Sequence, residues 1–147
     1  MTFEESFPNL KKNPANYRIT SEATRSYNCI AWASGETHRW WWPDPDDQYY
    51  YWPSDLPREQ TLSVFIRAYE GLGYALCSNF ELEKDYLKVA IFADKDGNPT
   101  HAARQLANGR WTSKLGKDVD IEHELNGVEG PVYGTAVRVL KKRIDFA

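Results

Sequence analysis

The chain has 147 residues, enough for one domain with a single hydrophobic core, and it is rich in tryptophan and tyrosine, with six and nine of them. Its net charge of -3 shows no basic or acidic excess, so neither nucleic acid nor a membrane surface is an expected partner. No apolar run approaches the roughly 20 residues that cross a bilayer. Residues 1–6 lack the basic and apolar parts of a secretory signal, so we expect a cytoplasmic protein with reduced thiols, with export by a route other than Sec left open.

The N-terminal part of the chain predicts an arm followed by one helix. Residues 1–25 are polar and contain Pro8 and Pro14, so we predict that they form an irregular arm lying over a single domain made by the whole chain. Ser26 is a suitable N-cap, and Gly35 is suitable for the position just past a helix end. A helix is therefore expected between them.

Residues 37–58 combine tryptophans and tyrosines with four prolines. This composition predicts an insertion without regular structure. Two interpretations of its aromatic residues stay open. They form either an aromatic wall packed over the sheet or the rim of a substrate cleft that recognises a flat, sugar-like or peptide ligand.

The second half of the chain predicts one more helix and then a sheet. The helix begins at Gln60 or Thr61, carries apolar residues with helical spacing, and ends near Gly71. Five strands are expected, at residues 74–77, 88–94, 101–106, 110–115 and 136–142. The fold class is therefore α+β, with N-terminal helices packed on an antiparallel sheet of about five strands.

Cys29 and His101 are the candidate catalytic pair. Cys29 opens the first predicted helix, where the positive end of the helix dipole favours a thiolate. His101 leads a predicted strand and precedes two alanines, whose small side chains let a helix approach closely enough for proton transfer. The other cysteine, Cys77, lies in a short apolar strand and is expected to be a structural core residue.

The residue that would orient the imidazole depends on the hairpin after His101. A two-residue turn at Asn108 and Gly109 brings Lys114 next to the histidine, whereas a three-residue turn brings Ser113 onto that face. Lysine would repel an imidazolium, and serine is a weak orienting group. Three further candidates lie just beyond the hairpin and could fold back towards the histidine: Asp118, Asp120 and His123.

Four stretches of the chain carry a resemblance to a known family: residues 27–33, 99–116, 120–123 and 133–134. With them the chain, from about residue 16 to 143, resembles small bacterial proteins that are similar to the NlpC/P60 and CHAP branch of the papain-like cysteine hydrolases. The resemblance implies a papain-like fold with Cys29 as nucleophile and His101 as base. The family's third polar position falls on Ser113, where histidine, asparagine or aspartate is usual, and His123 is a possible substitute.

Two functions fit these residues. The first is a cysteine-dependent amide or peptide hydrolase with a Cys29–His101 dyad, in which Asn28 and Trp32 help to bind the oxyanion or the substrate. The second is a catalytically degenerate domain of the same fold that binds a protein partner. The cysteines and histidines, including His38 in a predicted loop, lack zinc-ligand spacing, so neither a metal nor an organic cofactor is expected.

Overall fold

The computed structural model describes residues 3–45 and 50–144. The described residues form a sheet of seven strands, four α-helices and two short 3₁₀ helices. The α-helices are α1 (Phe3–Ser6), α2 (Pro8–Lys12), α3 (Cys29–Ser34) and α4 (Leu62–Glu70), and the 3₁₀ helices span Pro14–Asn16 and Leu125–Val128. The strands are β1 (Arg18–Ile19), β2 (Ala75–Cys77), β3 (Tyr86–Ala93), β4 (Pro99–Gln105), β5 (Trp111–Lys114), β6 (Asp120–His123) and β7 (Thr135–Arg143). None of the helices in these two ranges has the length and apolar character that crossing a bilayer requires.

All neighbouring strands of the sheet are antiparallel, in the order β1-β6-β5-β4-β3-β7-β2. The α+β class is therefore confirmed, but the prediction of about five strands is wrong because β1 and β6 were missed. β1 is only two residues long. β6 has the sequence Asp-Ile-Glu-His, with one apolar residue in four, so its pattern is typical of a loop although three of its four side chains are buried.

The prediction of an irregular N-terminal arm is wrong for most of the arm. Helices α1 and α2, one 3₁₀ helix and strand β1 lie in this part of the chain. Pro8 and Pro14 each occupy the start of a helical segment, where proline is tolerated because the first amide of a helix needs no partner within it. Proline in this arm therefore marks where helices begin.

The prediction of Ser26 as the N-cap of α3 is also wrong. The cap is Asn28, whose side-chain oxygen accepts a hydrogen bond from the backbone N–H of Ala31 at 3.2 Å. Ser26 instead interacts with Thr24. The end of α3 at Gly35 is confirmed, with a left-handed φ of 91°.

Two apolar layers cover the sheet, one on each face. Helices α3 and α4 pack on one face, against side chains such as Ile91 and Ala102. The N-terminal arm and the second 3₁₀ helix pack on the other face, against side chains such as Phe92 and Ala103. Cys77 lies on the edge strand β2 and packs against the second of these layers, so its prediction as a structural strand residue is confirmed, but it is only half-buried.

The aromatic segment between α3 and α4 forms neither helix nor strand in residues 37–45 and 50–58, as predicted, and residues 46–49 lie outside the described range. Trp41 and Trp52 are buried, and Trp52 packs on Phe65 of α4 with ring centroids 5.2 Å apart. The packing interpretation is therefore confirmed for these two tryptophans. Other aromatic rings of the segment line a cleft, as described below.

The backbone of Ala93 passes close to Gly134, the residue before β7. Replacing Gly134 therefore tests whether this close contact is needed for stability. Gly134 has a φ of 75°, and a side-chain carbon there would overlap the carbonyl of Ala93. We expect Gly134→Ala to lower the free energy of unfolding by about 3 kcal/mol or more. Gly97→Ala is the matched control, since Gly97 has a φ of 84° with nothing within 4 Å of the added carbon. Its expected cost is about 1 kcal/mol, and equal losses in urea denaturation would contradict the overlap.

Candidate active site

Cys29 is the first residue of α3 and lines a cleft of about 350 Å³. Asn28 fixes this helix start. Its side-chain oxygen accepts from the backbone N–H groups of Ala31 and Trp41, and its side-chain nitrogen donates to the Trp41 carbonyl. The cleft is lined by Asn28, Cys29, Trp40, Trp42, Tyr50, Thr100, Gly116 and Tyr133.

The hairpin after His101 has a three-residue turn, the second of the two alternatives drawn from the sequence. The N–H of Leu106 donates to the carbonyl of Arg110 at 2.7 Å, and Gly109 supplies the left-handed residue with a φ of 87°. The register that follows pairs Arg104 with Thr112. Ser113 is thereby placed diagonally across from His101 on the same face of the sheet.

A chain of hydrogen bonds runs from His101 across three neighbouring strands. His101 Nε2 lies 2.9 Å from Ser113 Oγ, and Ser113 Oγ lies 2.7 Å from His123 Nε2. His123 Nδ1 lies 2.6 Å from the backbone carbonyl oxygen of Glu124. The side chains of His101, Ser113 and His123 are all fully buried.

The carbonyl of Glu124 fixes the position of every proton in this chain when both imidazoles are neutral. A carbonyl only accepts, so His123 carries its proton on Nδ1 and accepts at Nε2. The Ser113 hydroxyl must then donate to His123 and accept from His101 Nε2–H. His101 Nδ1 is consequently left as a bare lone pair, and this nitrogen is buried without a hydrogen-bond partner in the described part of the chain.

Two aromatic rings hold the imidazole of His101 in place. Tyr133 stacks on it with centroids 3.9 Å apart and planes 6° apart, and Phe92 contacts it edge-on at 5.2 Å. Tyr133 also lines the cleft with Cys29. The same tyrosine therefore links the histidine on one face of the sheet with the thiol at the start of α3.

Burial of Cys29 and of His101 favours an uncharged thiol and an uncharged imidazole. Burial raises the pKa of Cys29 to about 11, although backbone hydrogen bonds from Ala102, Ile30 and Cys29 itself and the charge of Lys114 oppose the rise. Burial, with a contribution from His123, holds the pKa of His101 well below its usual range. Burial also lowers the pKa of His123 to about 4. The sequence-based expectation of a resting thiolate is therefore not supported.

The structure separates the other candidate residues from the histidine chain. Asp120 points to the opposite face and accepts from the Tyr27 hydroxyl at 2.6 Å, and Asp118 is exposed. Trp32 donates its indole N–H to Thr112 at 3.0 Å and does not line the cleft. His38 is exposed in a loop, as predicted.

Sequence reasoning gave Tyr133 no role, and it left open whether the aromatic segment reaches a cleft. Trp40, Trp42 and Tyr50 of that segment line the cleft beside Cys29, and recognition of a ligand by these three residues stays a prediction. The one sequence signal that could have pointed to Tyr133 was its place next to Gly134, where the backbone conformation requires a glycine.

Ser113 is the central link of the hydrogen-bonded chain, and Ser113→Ala tests it. The substitution leaves His101 Nε2–H and His123 Nε2 buried without their partner, so we expect a loss of about 2–3 kcal/mol in the free energy of unfolding. The imidazole also loses the partner that fixes its tautomer, and for a Cys29–His101 catalytic dyad we expect acylation of Cys29 to slow by about tenfold or more. The control is Thr112→Val, which removes a neighbouring buried hydroxyl on the other face. It should cost stability without this effect on rate, and equal rate losses would contradict the assignment.

The comparison with protein families places the chain in a family. Residues 18–141 match the model of a family described as "Domain of unknown function (DUF7689)", and the chain belongs to that family. The matched region contains Cys29, His101, Ser113 and His123. No curated protein and no solved structure matches the chain.

Proposed function

We propose that this protein is a cysteine-dependent amide or peptide hydrolase of papain-like architecture, with Cys29 as nucleophile and His101 as general base. One observation carries the proposal. The His101 imidazole is oriented by Ser113 and His123 so that Nδ1 is an unprotonated acceptor with no hydrogen-bond partner among the described residues, and the ring stacks on Tyr133, which lines the cleft with Cys29. A buried lone pair without a partner is costly in a merely structural histidine, whereas a base that must accept a proton needs it.

The contacts around the thiol support the role of nucleophile. The backbone N–H of Ala102, the residue after His101, lies against the Cys29 thiol. The N–H groups of Cys29 and Ile30, the first two residues of α3, do so as well. These first N–H groups have no partner within the helix. They are therefore available to an oxyanion that forms next to the sulfur.

The proposed reaction gives these groups the following roles. Cys29 Sγ attacks the carbonyl carbon while its proton passes to His101 Nδ1, and the carbonyl electron pair forms an oxyanion held by the N–H groups at the start of α3. Collapse of this intermediate breaks the C–N bond, and His101 returns the proton to the leaving amine. A water molecule, deprotonated by His101, then attacks the thioester and releases the acid with the regenerated thiol.

Formation of an acyl-enzyme is the test of this proposal. 4-Nitrophenyl acetate should release nitrophenolate and leave an acetyl group on Cys29, detected by mass spectrometry of the peptide. Cys29→Ala should abolish both signals, whereas Cys77→Ala, which removes the half-buried thiol of β2, should retain them. Acetylation of the two cysteines at the same rate would overturn the proposal.

The second candidate is a binding domain with an inactive site. It is favoured by the pKa of Cys29, which burial raises to about 11, and by the fact that, among the described residues, the Cys29 thiol makes no hydrogen bond to His101 Nδ1. For this candidate, loss of His101 should leave the reactivity of Cys29 unchanged.

A further inference from the structure

The lining of the cleft bears on which substrates Cys29 can reach. Trp40, Trp42, Tyr50 and Tyr133 present four aromatic rings beside the thiol. Trp40 donates a hydrogen bond from its indole N–H to the Arg25 carbonyl at 2.6 Å. Its ring also stacks on that of Tyr50, with the ring centroids 5.8 Å apart. These rings are fixed surfaces on which another flat or apolar group can pack.

Two of the polar side chains that line the cleft, those of Asn28 and Thr100, are hydrogen-bonded to backbone groups, and the hydroxyl groups of Tyr50 and Tyr133 are uncharged. The Asn28 amide bonds to Ala31 and Trp41, and the Thr100 hydroxyl donates to the Tyr133 carbonyl. None of the described residues lining the cleft carries a charge. A charged substrate group would therefore lose hydration in this cleft without gaining an ionic partner among the described lining residues.

Lys114 is the cation whose charge acts on Cys29, and it does not provide an ionic partner for a charged substrate. Lys114 lowers the pKa of the thiol, and its ammonium has three hydrogens to donate. They are directed to the backbone carbonyls of Thr24, Gly116 and Asp118. Lys114 therefore has no hydrogen left for a substrate carboxylate, and it acts as a brace for the loop at Gly116 that lines the cleft.

We infer that the cleft binds an uncharged aromatic side chain next to the reacting carbonyl, so that the substrate class is an amide or peptide with an aromatic residue at that position. This inference rests on the proposed function, because it takes Cys29 as the reacting centre. It deepens that proposal by excluding substrates that are recognised through a free carboxylate or ammonium group near the scissile bond.

Ligand binding to Cys29→Ala protein tests the inference separately from the chemistry. N-acetyl-phenylalaninamide, N-acetyl-aspartic acid amide and N-acetyl-lysinamide are titrated while the indole resonances of Trp40 and Trp42 are followed by NMR. The phenylalanine amide should bind at least about tenfold more tightly than either charged amide. Trp42→Ala should remove this preference. Tyr86→Ala, an aromatic loss at the start of β3 and outside the cleft, should retain it.

The outcomes separate the two proposals. Equal binding of the three amides, tighter binding of a charged amide, or no shift of the indole resonances would overturn the inference about the substrate. A preference for the phenylalanine amide together with no acetylation of Cys29 by 4-nitrophenyl acetate would overturn the hydrolase and leave the ligand class of the cleft standing.

Discussion

His101→Ala should slow acylation of Cys29 at pH 7 by about 100- to 10,000-fold. In the proposed reaction of the wild type, the thiol proton passes to the bare Nδ1 of His101 as the sulfur attacks, so a neutral thiol can react. Without the imidazole only the thiolate reacts, and burial raises the pKa of Cys29 to about 11, which leaves little thiolate at pH 7. The rates are measured with 4-nitrophenyl acetate under single-turnover conditions.

The pH profile distinguishes a general base from a residue that only supports the fold. The wild-type rate should be level across neutral pH, because the pKa of His101 lies well below its usual range and the imidazole stays unprotonated. The rate of the variant should rise about tenfold per pH unit towards the pKa of the thiol. Near-ultraviolet circular dichroism serves as the control for folding. Parallel profiles for the two proteins would contradict the assignment of His101 as the base.

Acidification from pH 7 to pH 5 should lower the free energy of unfolding by about 2 kcal/mol through His123, and protonation of His101 should add to this loss. Burial lowers the pKa of His123 from 6.5 to about 4 and that of His101 well below 6.5. Between these values the unfolded chain binds protons that the folded chain does not, so stability falls as the pH falls. Urea denaturation at pH 7, 6 and 5 measures this loss.

The window from pH 7 to 5 isolates the buried histidines. The pKa of Glu83 is held below 4.5 by hydrogen bonds from Lys141 and Lys88, so this carboxylate titrates at lower pH. His123→Gln should remove about 2 kcal/mol of the pH-dependent loss. His38→Gln, at an exposed loop position, should leave the loss unchanged. A wild-type stability that stays constant across this window would show that the histidine chain is not buried in neutral form.

The sequence predicted most of the elements that hold the candidate site. The strand with Val89–Ala93 was recognisable because it is apolar on both faces, and both faces are covered. The helix after Cys29 and its stop at Gly35 followed from local chemistry. Strand β6 could not be predicted from local chemistry, because its pairing with β5 makes it a strand and its own composition does not indicate one.

The sequence limited the residue that orients His101 to a few candidates but did not identify it. The choice between Lys114 and Ser113 depended on one residue in the length of the turn after Leu106, and a shift of one residue turns a strand over. His123 joins Ser113 because β6 continues the sheet, a long-range pairing without a local signal. Likewise, burial outweighs the helix dipole at Cys29, and burial depends on packing against β4 and the aromatic segment.

The protonation states of His101 and His123 test the account most directly. Long-range 1H–15N NMR of the imidazoles at pH 7 should show His101 with its proton on Nε2 and a bare Nδ1, and His123 with its proton on Nδ1. This pattern would establish the base that the proposed reaction requires. A proton on Nδ1 of His101, either in the other tautomer or in an imidazolium, would contradict the hydrogen-bonded chain and the mechanism built on it.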